Sequence, residues 1–426
     1  MSTPSPVKGW CPGARRPMQS GDGLIVRVRP HAGSLPVASL GALAEAASRF
    51  GNGQIDLTRR ANLQIRGVTE KTVEPLWETL AALDLLDDSA ESEAIRNIAI
   101  NPLAGIDPTE IVDVRPIALA LEAELASSPD LQALPGKFAF VIDGGGLLPL
   151  TELSADIHLE ARRDGNDMFI AVGVGTASGV AWLAVTALFE AADVAVKVAR
   201  GMLAECAGSR AHALSPAAVA SIQSGLGLPK VHSRQADPPI CQKPRRGLLA
   251  LQGGRHAVGL GTPLGRVESQ SLTTLAAALA GIGVTDVRLS PWRTIYAAVD
   301  NRTDGQALTA VARALGLIVD DADPLVRIDA CSGAGCCNAT VLPTRDHARL
   351  LAALAARTGF PGTLHVSGCS KGCARSAPAD LVLVGAGDSY RVVRNGTVRD
   401  DTACELAASE IATKGIELLT HTTTHG

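Results

Sequence analysis

Aromatic side chains are scarce in this 426-residue chain: six Phe, four Trp and two Tyr, 3% in all. Stacking platforms for single-stranded nucleic acid need aromatic faces, and few are on offer. No sign of charge dominates either. Lys and Arg number 39 against 43 Asp and Glu, a net charge of −4, which gives no general attraction to polyanions. No segment reads as a membrane span, and Met1 to Gly9 contains no signal-type apolar run. The expected location is therefore a reducing cytoplasm, without membrane or nucleic-acid partners. The cysteines number nine, an odd count that does not suit a framework of disulfides.

What is present points to a packed enzyme. Hydrophobic residues make up 46% of the chain and mean hydropathy is +0.18, so a globular protein with Ala, Leu and Val cores is expected. The length suits two or more domains.

The most informative stretch runs from Cys331 to Cys373. It reads Cys331-Ser-Gly-Ala-Gly-Cys336-Cys337, then a helix-like segment, then Gly368-Cys369-Ser-Lys-Gly-Cys373-Ala-Arg375. Five residues separate Cys331 from Cys337 and three separate Cys369 from Cys373. Two short loops of small residues, each with two thiolates, can close on one inorganic cluster, because small residues let backbone N–H groups approach the sulfur. A 4Fe–4S cluster needs four soft thiolates. Structural zinc uses closer pairs, and disulfides are the bland alternative. Cys336 competes with Cys337 for the second ligand position; Cys337 is preferred. Cys206, Cys241 and Cys404 show no partner spacing and read as buried thiols.

Basic residues form the second signal. A strand is expected at Leu24 to Arg29. A helix opens at Ser39, with Leu40, Leu43, Ala47 and Phe50 on one face and Gly51 as its stop. A strand is then expected from Gln54 to Arg66, containing Arg59, Arg60 and Arg66. A helix with Leu76, Leu80 and Leu83 follows, with Pro75 near its start. Arg96-Asn97 precedes another strand. Any single arginine is most simply a surface residue packing its stem, but Arg59, Arg60, Arg66 and Arg96 together suit bidentate binding of carboxylates. The Gly144-Gly145-Gly146 turn lacks dinucleotide-fingerprint spacing.

The pattern then repeats. A connection rich in Pro, Gly and polar residues is expected from Gly208 to about Gly254. Beyond it, Ala257 to Arg266 reads as a strand and Leu272, Leu275 and Leu279 mark a helix. Val287 to Arg293 answers Ile55 to Arg60, and Val326-Arg327-Ile328 before Cys331 answers Ile98-Ala99-Ile100 before Pro102. The expected class is α+β: two ferredoxin-like halves and two α/β units related by a pseudo-twofold. The expected boundaries are 1–86, 87–225, 226–250 (a linker), 251–320 and 321–426. Only the second copy carries the cysteines, and the seam between copies is a natural place for a large ligand.

These residues resemble the nitrite and sulfite reductase superfamily. The resemblance rests on Leu57-Thr58-Arg59-Arg60-Ala61-Asn62-Leu63-Gln64, Arg96-Asn97 and the two cysteine pairs. It implies a duplicated fold and a 4Fe–4S cluster on Cys331, Cys337, Cys369 and Cys373, with Cys373 nearest to any haem iron. It also implies that arginines, Arg60 and Arg96 by position, hold tetrapyrrole carboxylates. Cys11-Pro12-Gly13, Gly21-Asp22-Gly23-Leu24, Gly51-Asn52-Gly53-Gln54, Pro102-Leu103-Ala104-Gly105-Ile106-Asp107 and Arg288 to Arg293 are similar to one branch, the precorrin-3B synthases of aerobic cobalamin synthesis. Where the sulfite reductases read Leu-Pro-Arg-Lys-Phe-Lys, this chain reads Leu134-Pro135-Gly136-Lys137-Phe138-Ala139. Two fewer cations weaken a small-oxyanion pocket and leave room for a bulky polycarboxylate, with Arg60, Arg66, Arg96 and Lys137 as its binding residues.

The resemblance implies an oxidoreductase of the monooxygenase type: hydroxylation of precorrin-3A by dioxygen with γ-lactone formation. NADH would be the reductant, acting through an electron-donor protein. It further implies a mononuclear non-haem iron, with sirohaem, and a sirohaem sulfite or nitrite reductase, as the alternative. His31, Asp156, His158 and His365 are iron-ligand candidates by residue type. His421 and His425 lie in a Thr-rich tail. Cys11, in a Cys-Pro-Gly turn, either lines the site or is a packed loop cysteine, and Lys371 and Arg375 flank the cluster cysteines.

Overall fold

The computed structural model describes residues 11–206, 208–229 and 246–420. Its strands form four sheets of five. Two of these are antiparallel and interlocked. The first orders Met18–Ser20, Gly23–Val28, Leu63–Val68, Gln54–Leu57 and finally Arg266–Glu268, a strand from the other half of the chain. The second orders Gly247–Ala250, His256–Gly261, Thr294–Val299, Asp286–Leu289 and finally Ser34–Pro36, lent in return. The registers match: Val267 faces Ile55, and Leu35 faces Val287. Each crossover is made by a left-handed pair, Ala32 (φ 46°) with Gly33 in one half and Leu264 (φ 53°) with Gly265 in the other.

Helices Val37–Phe50 and Ser269–Gly281 lie against each other across this exchange. Leu40, Leu43 and Ala47 recur at helical spacing and are fully buried, as are Leu272, Leu275 and Leu279. Gly41 faces Ala276 across this contact, and a Cβ there would make an ordinary van der Waals contact with the Ala276 methyl at 3.5 Å. Burying each leucine contributes about 1.5–3 kcal/mol. Gly51 ends the first helix, its N–H donating to the Ala47 carbonyl.

The other two sheets are copies of one design. In each, three parallel strands run into an antiparallel pair. Ile98–Ile100, Phe140–Asp143 and Ile157–Asp164 open one; Ile328–Ala330, Leu364–Ser367 and Ala379–Ala386 open the other. The registers agree residue by residue, with Ile98, Phe140 and Ile157 abreast in one and Ile328, Leu364 and Leu381 in the other. Helices Arg115–Ala126 and Ala191–Glu205 share the first sheet's core, and Thr344–Thr358 and Ile411–Thr420 the second's.

Three sequence expectations change. Gln54 to Arg66 is not one strand but a hairpin. The Thr58 hydroxyl accepts from the backbone N–H of Arg60 and Asn62, and Ala61 is left-handed (φ 55°), so the chain turns without Gly or Pro. Ala257 to Arg266 likewise breaks at Leu264 and changes sheets. The connection after Gly208 contains a helix, Pro216–Leu226, capped by the Ser215 hydroxyl, and the strand Gly247–Ala250. Most of the expected linker, with Cys241, and also His421 and His425, lies outside the described residues.

Candidate active site at the seam of the two copies

Cys331 follows the strand Ile328–Ala330, and Cys369 follows Leu364–Ser367, so the two neighbouring parallel strands deliver both cysteine loops to the same sheet edge. All eight described cysteines are free thiols. The Gly368 N–H donates to Cys331 Sγ at 3.2 Å, and the Thr344 hydroxyl stands 3.5 Å from the same sulfur. Cys373 lies at the outer side of the group. Its thiol pKa is pushed up, by desolvation first and then by the neighbouring sulfurs of Cys369, Cys331 and Cys337. Those three and Cys373 are thus one electrostatic group. Cys336 faces the other way, 3.4 Å from Arg266 Nη1.

This geometry bears on what the sulfurs can hold. Four thiolates around one zinc sit about 3.8 Å from each other, given Zn–S bonds near 2.3 Å. Among the described residues no three His, Cys, Asp or Glu side chains converge closely enough for a single ion. Four sulfurs in one electrostatic group, with a backbone N–H and a hydroxyl on one of them, suit the thiolate set of a multi-iron cluster. Several glycines around them have no space for a side chain, although Gly335 is open. A Cβ on Gly368 would meet Thr340 at 2.4 Å, and one on Gly21 would meet the Cys337 nitrogen at 2.8 Å. Gly21 belongs to the N-terminal hairpin, whose Ser20 hydroxyl and Gly21 N–H both donate to the Cys336 carbonyl. The first half therefore grips the cysteine loop of the second.

Two buried aspartates organise the cations beside the sulfurs. Asp329, two residues before Cys331, accepts from Arg59 of the first half, Arg293 and Arg375. Burial works to raise its pKa, and Arg59 and Arg293 outweigh it, so the carboxyl titrates below its ordinary value. Asp56 accepts from Arg266 (2.7 and 2.9 Å), Arg66 (3.3 Å) and Arg345 (3.4 Å), and is depressed for the same reason. His365 shares the register of Asp329 and is 1% exposed. Burial, with Arg375, Arg59 and Arg293 nearby, lowers its pKa to about 4, so it is neutral at pH 7, and its Nε2 has no partner.

The expected carboxylate-binding residues divide. Arg60 points its Nη2 to the Lys137 carbonyl at 3.1 Å, while its buried Nη1 has no partner. Lys137 is exposed beside it. Arg27 also belongs here: its buried Nη1 has no partner, and Cys11 is its hydrogen-bonding neighbour. Burial lowers the Arg27 pKa to about 10.

Arg66 and Arg96 need correction. Arg66 is 2% exposed and holds Asp22, Asp56, Ser20 and the Cys336 carbonyl. Arg96 donates twice to Asp87 and once to the Arg29 carbonyl. Both forks are closed by internal acceptors, which leaves them structural work in place of ligand binding.

The four iron-ligand candidates do not meet. His31 pairs with Glu122. Asp156 accepts from Arg210 and from the Ala139 and Ala211 N–H groups. His158 and His365 lie on strands of different sheets. The described residues do not fit a mononuclear iron site built from this set. Asp329 and Arg345 escaped the sequence reading, and Asp56 and Arg293 entered it only as motif residues with no site role; the signal for Asp329 was its place two residues before a cysteine.

A duplicated α+β scaffold with clustered thiols against a cationic seam defines an iron–sulfur oxidoreductase fold, and the comparisons agree. Residues 16–83 match the nitrite/sulfite reductase ferredoxin-like half domain, and residues 91–203 the nitrite and sulphite reductase 4Fe-4S domain. Precorrin-3B synthase of Sinorhizobium sp. is 34% identical over 91% of this chain and 83% of its own. Ferredoxin–nitrite reductase of Synechococcus elongatus is 26% identical over 87% of this chain and 78% of its own. The solved Mycobacterium tuberculosis NirA protein superposes with a TM-score of 0.75 at 21% identity, over 91% of this chain and 79% of that one. The chain belongs to the nitrite and sulfite reductase family, and within it is similar to precorrin-3B synthase. Among the described residues no helix is long and apolar enough to cross a membrane.

Proposed function

We propose that this chain carries out the precorrin-3B synthase reaction. Precorrin-3A takes up one atom of dioxygen as a hydroxyl group and a ring-A acetate closes to a γ-lactone. The second oxygen atom leaves as water, with two electrons from NADH delivered through a separate electron-donor protein. The observation that carries this reading is the likeness to precorrin-3B synthase along 91% of the chain, supported by the unpartnered Nη1 donors of Arg60 and Arg27 and the exposed Lys137 beside Arg60.

Cys331, Cys337, Cys369 and Cys373 would hold the 4Fe–4S cluster, which supplies single electrons at low potential. The Gly368 N–H reduces the charge on the Cys331 sulfur. Arg60, through its free Nη1, and Lys137 bind and orient substrate carboxylates at the first copy's side of the seam. Arg27 adds a further buried donor beside Cys11. Orienting the macrocycle by its rim carboxylates fixes which meso carbon faces the cluster side. No step is assigned to a mononuclear iron, because no ligand set for one is found among the described residues.

The test is turnover of precorrin-3A under isotopically labelled dioxygen with a reductant system. One labelled oxygen in a lactone product is expected. Reduction of sulfite by a dye donor, with no oxygen uptake on precorrin-3A, would assign the chain to the sirohaem reductases instead.

A further inference from the structure

The ion-pair network beside the cysteines is not neutral. Arg59, Arg293 and Arg375 share Asp329, and Arg66, Arg266 and Arg345 share Asp56, with Asp22 as a further partner of Arg66. Among the described residues that is six guanidiniums on three carboxylates, an excess of three positive charges. Arg59 is half exposed, but Arg66, Arg266 and Arg345 around Asp56 are largely buried, and buried charge of one sign is costly unless something compensates it.

Arg345 is where the excess is least compensated. Its single contact is Asp56 at 3.4 Å, and Asp56 is already held at 2.7 and 2.9 Å by Arg266. Its Nε and Nη1 are buried without partners. Burial, then repulsion from Arg266 and Arg293, brings its pKa down to about 10, so it is still a cation at neutral pH. Asp56 has two other arginine partners, Arg66 and Arg266. Its position is tied to the cysteines. It follows Thr344, whose hydroxyl donates to the Cys331 carbonyl at 2.9 Å, and its neighbour Arg266 reaches Cys336 Sγ.

We propose that Arg345 is a tuning residue for the cluster, an under-paired cation kept beside the cysteine loops to favour the reduced state. The inference rests on the cluster reading above. Four thiolates around a 4Fe–4S core carry two negative charges when oxidised and three when reduced, so one electron adds one charge. A fixed cation nearby stabilises the more negative form, and net charge near the sulfurs is one determinant of potential.

The experiment is a dye-mediated reductive titration of the reconstituted protein, for wild type, Arg345→Met and Arg345→Lys. Arg345→Met should shift the reduction equilibrium about tenfold toward the oxidised form, which is about 59 mV lower for a one-electron couple. Arg345→Lys should return most of that shift. The apoproteins are melted in parallel, and Arg345→Met without cluster should be at least as stable as wild type. An unchanged midpoint with an intact cluster overturns the inference, and so does an apo Arg345→Met that melts well below wild type, which would give Arg345 to the fold. A wild-type chain that takes up no cluster at all overturns the cluster reading itself, and this inference with it.

Discussion

The two α/β units place the same backbone group against different acceptors. In the second unit the N–H of Gly368, just past the strand Leu364–Ser367, donates to Cys331 Sγ. In the first unit the N–H of Gly144, just past Phe140–Asp143, donates to Asn101 Oδ1. Asn101 also donates to Asp143, Leu148 and Gly145, so its amide is fully engaged. One scaffold position thus carries a closed hydrogen-bond network in one copy and an open thiol in the other. The turns of the two ferredoxin-like halves diverge in the same way. Arg59 and Arg60 stand where the other half has Pro291 and Trp292, and Trp292 packs against the buried cluster of Val141, Leu150 and Ala155. One seam is filled with apolar side chains and the other is left cationic. Duplication supplied two equivalent sites, and only one retains open chemistry.

The comparison is broken most sharply at the sulfurs. Replacing Cys369 or Cys373 by Ala should abolish the visible absorption of the cluster, whereas Cys336→Ser should keep it, read by spectrum and iron content. Loss of colour in Cys336→Ser would exchange Cys336 for Cys337. In the closed copy, Asn101→Ala should leave iron binding intact but destabilise the fold. The Gly144 N–H and the Asp143 carboxylate lose a buried partner at about 1–3 kcal/mol each, so about 4 kcal/mol should be missing in denaturant unfolding.

The next effect is in pH. His365 occupies the position that Val141 occupies in the first unit. Its folded pKa of about 4 lies below the ordinary 6.5, so the unfolded chain binds the proton first. The neutral imidazole's contribution is complete above pH 6.5 and is lost as pH falls toward 4, a change of about 3 kcal/mol. His365→Val, which copies the first unit, should remove that part of the acid sensitivity, measured by unfolding at pH 7 and pH 4.5. The smallest effect belongs to the ligand: Arg60→Met should weaken precorrin-3A binding by about 2 kcal/mol while the cluster spectrum stays unchanged. Unaltered affinity would remove Arg60 from the proposed carboxylate contacts.

Much of this arrangement was legible in the chain. The cysteine spacing, the internal repeat and the helix faces follow from local pattern, and local pattern survives folding. The arginines were less legible, because a sequence does not distinguish a fork closed by Asp22 and Asp87 from one open to a ligand. Arg66 and Arg96 read as binding residues for that reason, while Arg293 was noticed only as part of the repeat and Arg345 not at all. The strand exchange was also hidden. It depends on Ala32 and Leu264 adopting left-handed backbone in two turns, and neither residue type announces that conformation.

The account turns on a single cluster held by Cys331, Cys337, Cys369 and Cys373. Iron and acid-labile sulfide counted per chain in the anaerobically purified protein, with the optical spectrum recorded on the same sample, test it most directly. Four of each, lost together in the Cys337→Ala protein, are predicted. One zinc per chain, or iron without sulfide, would contradict it.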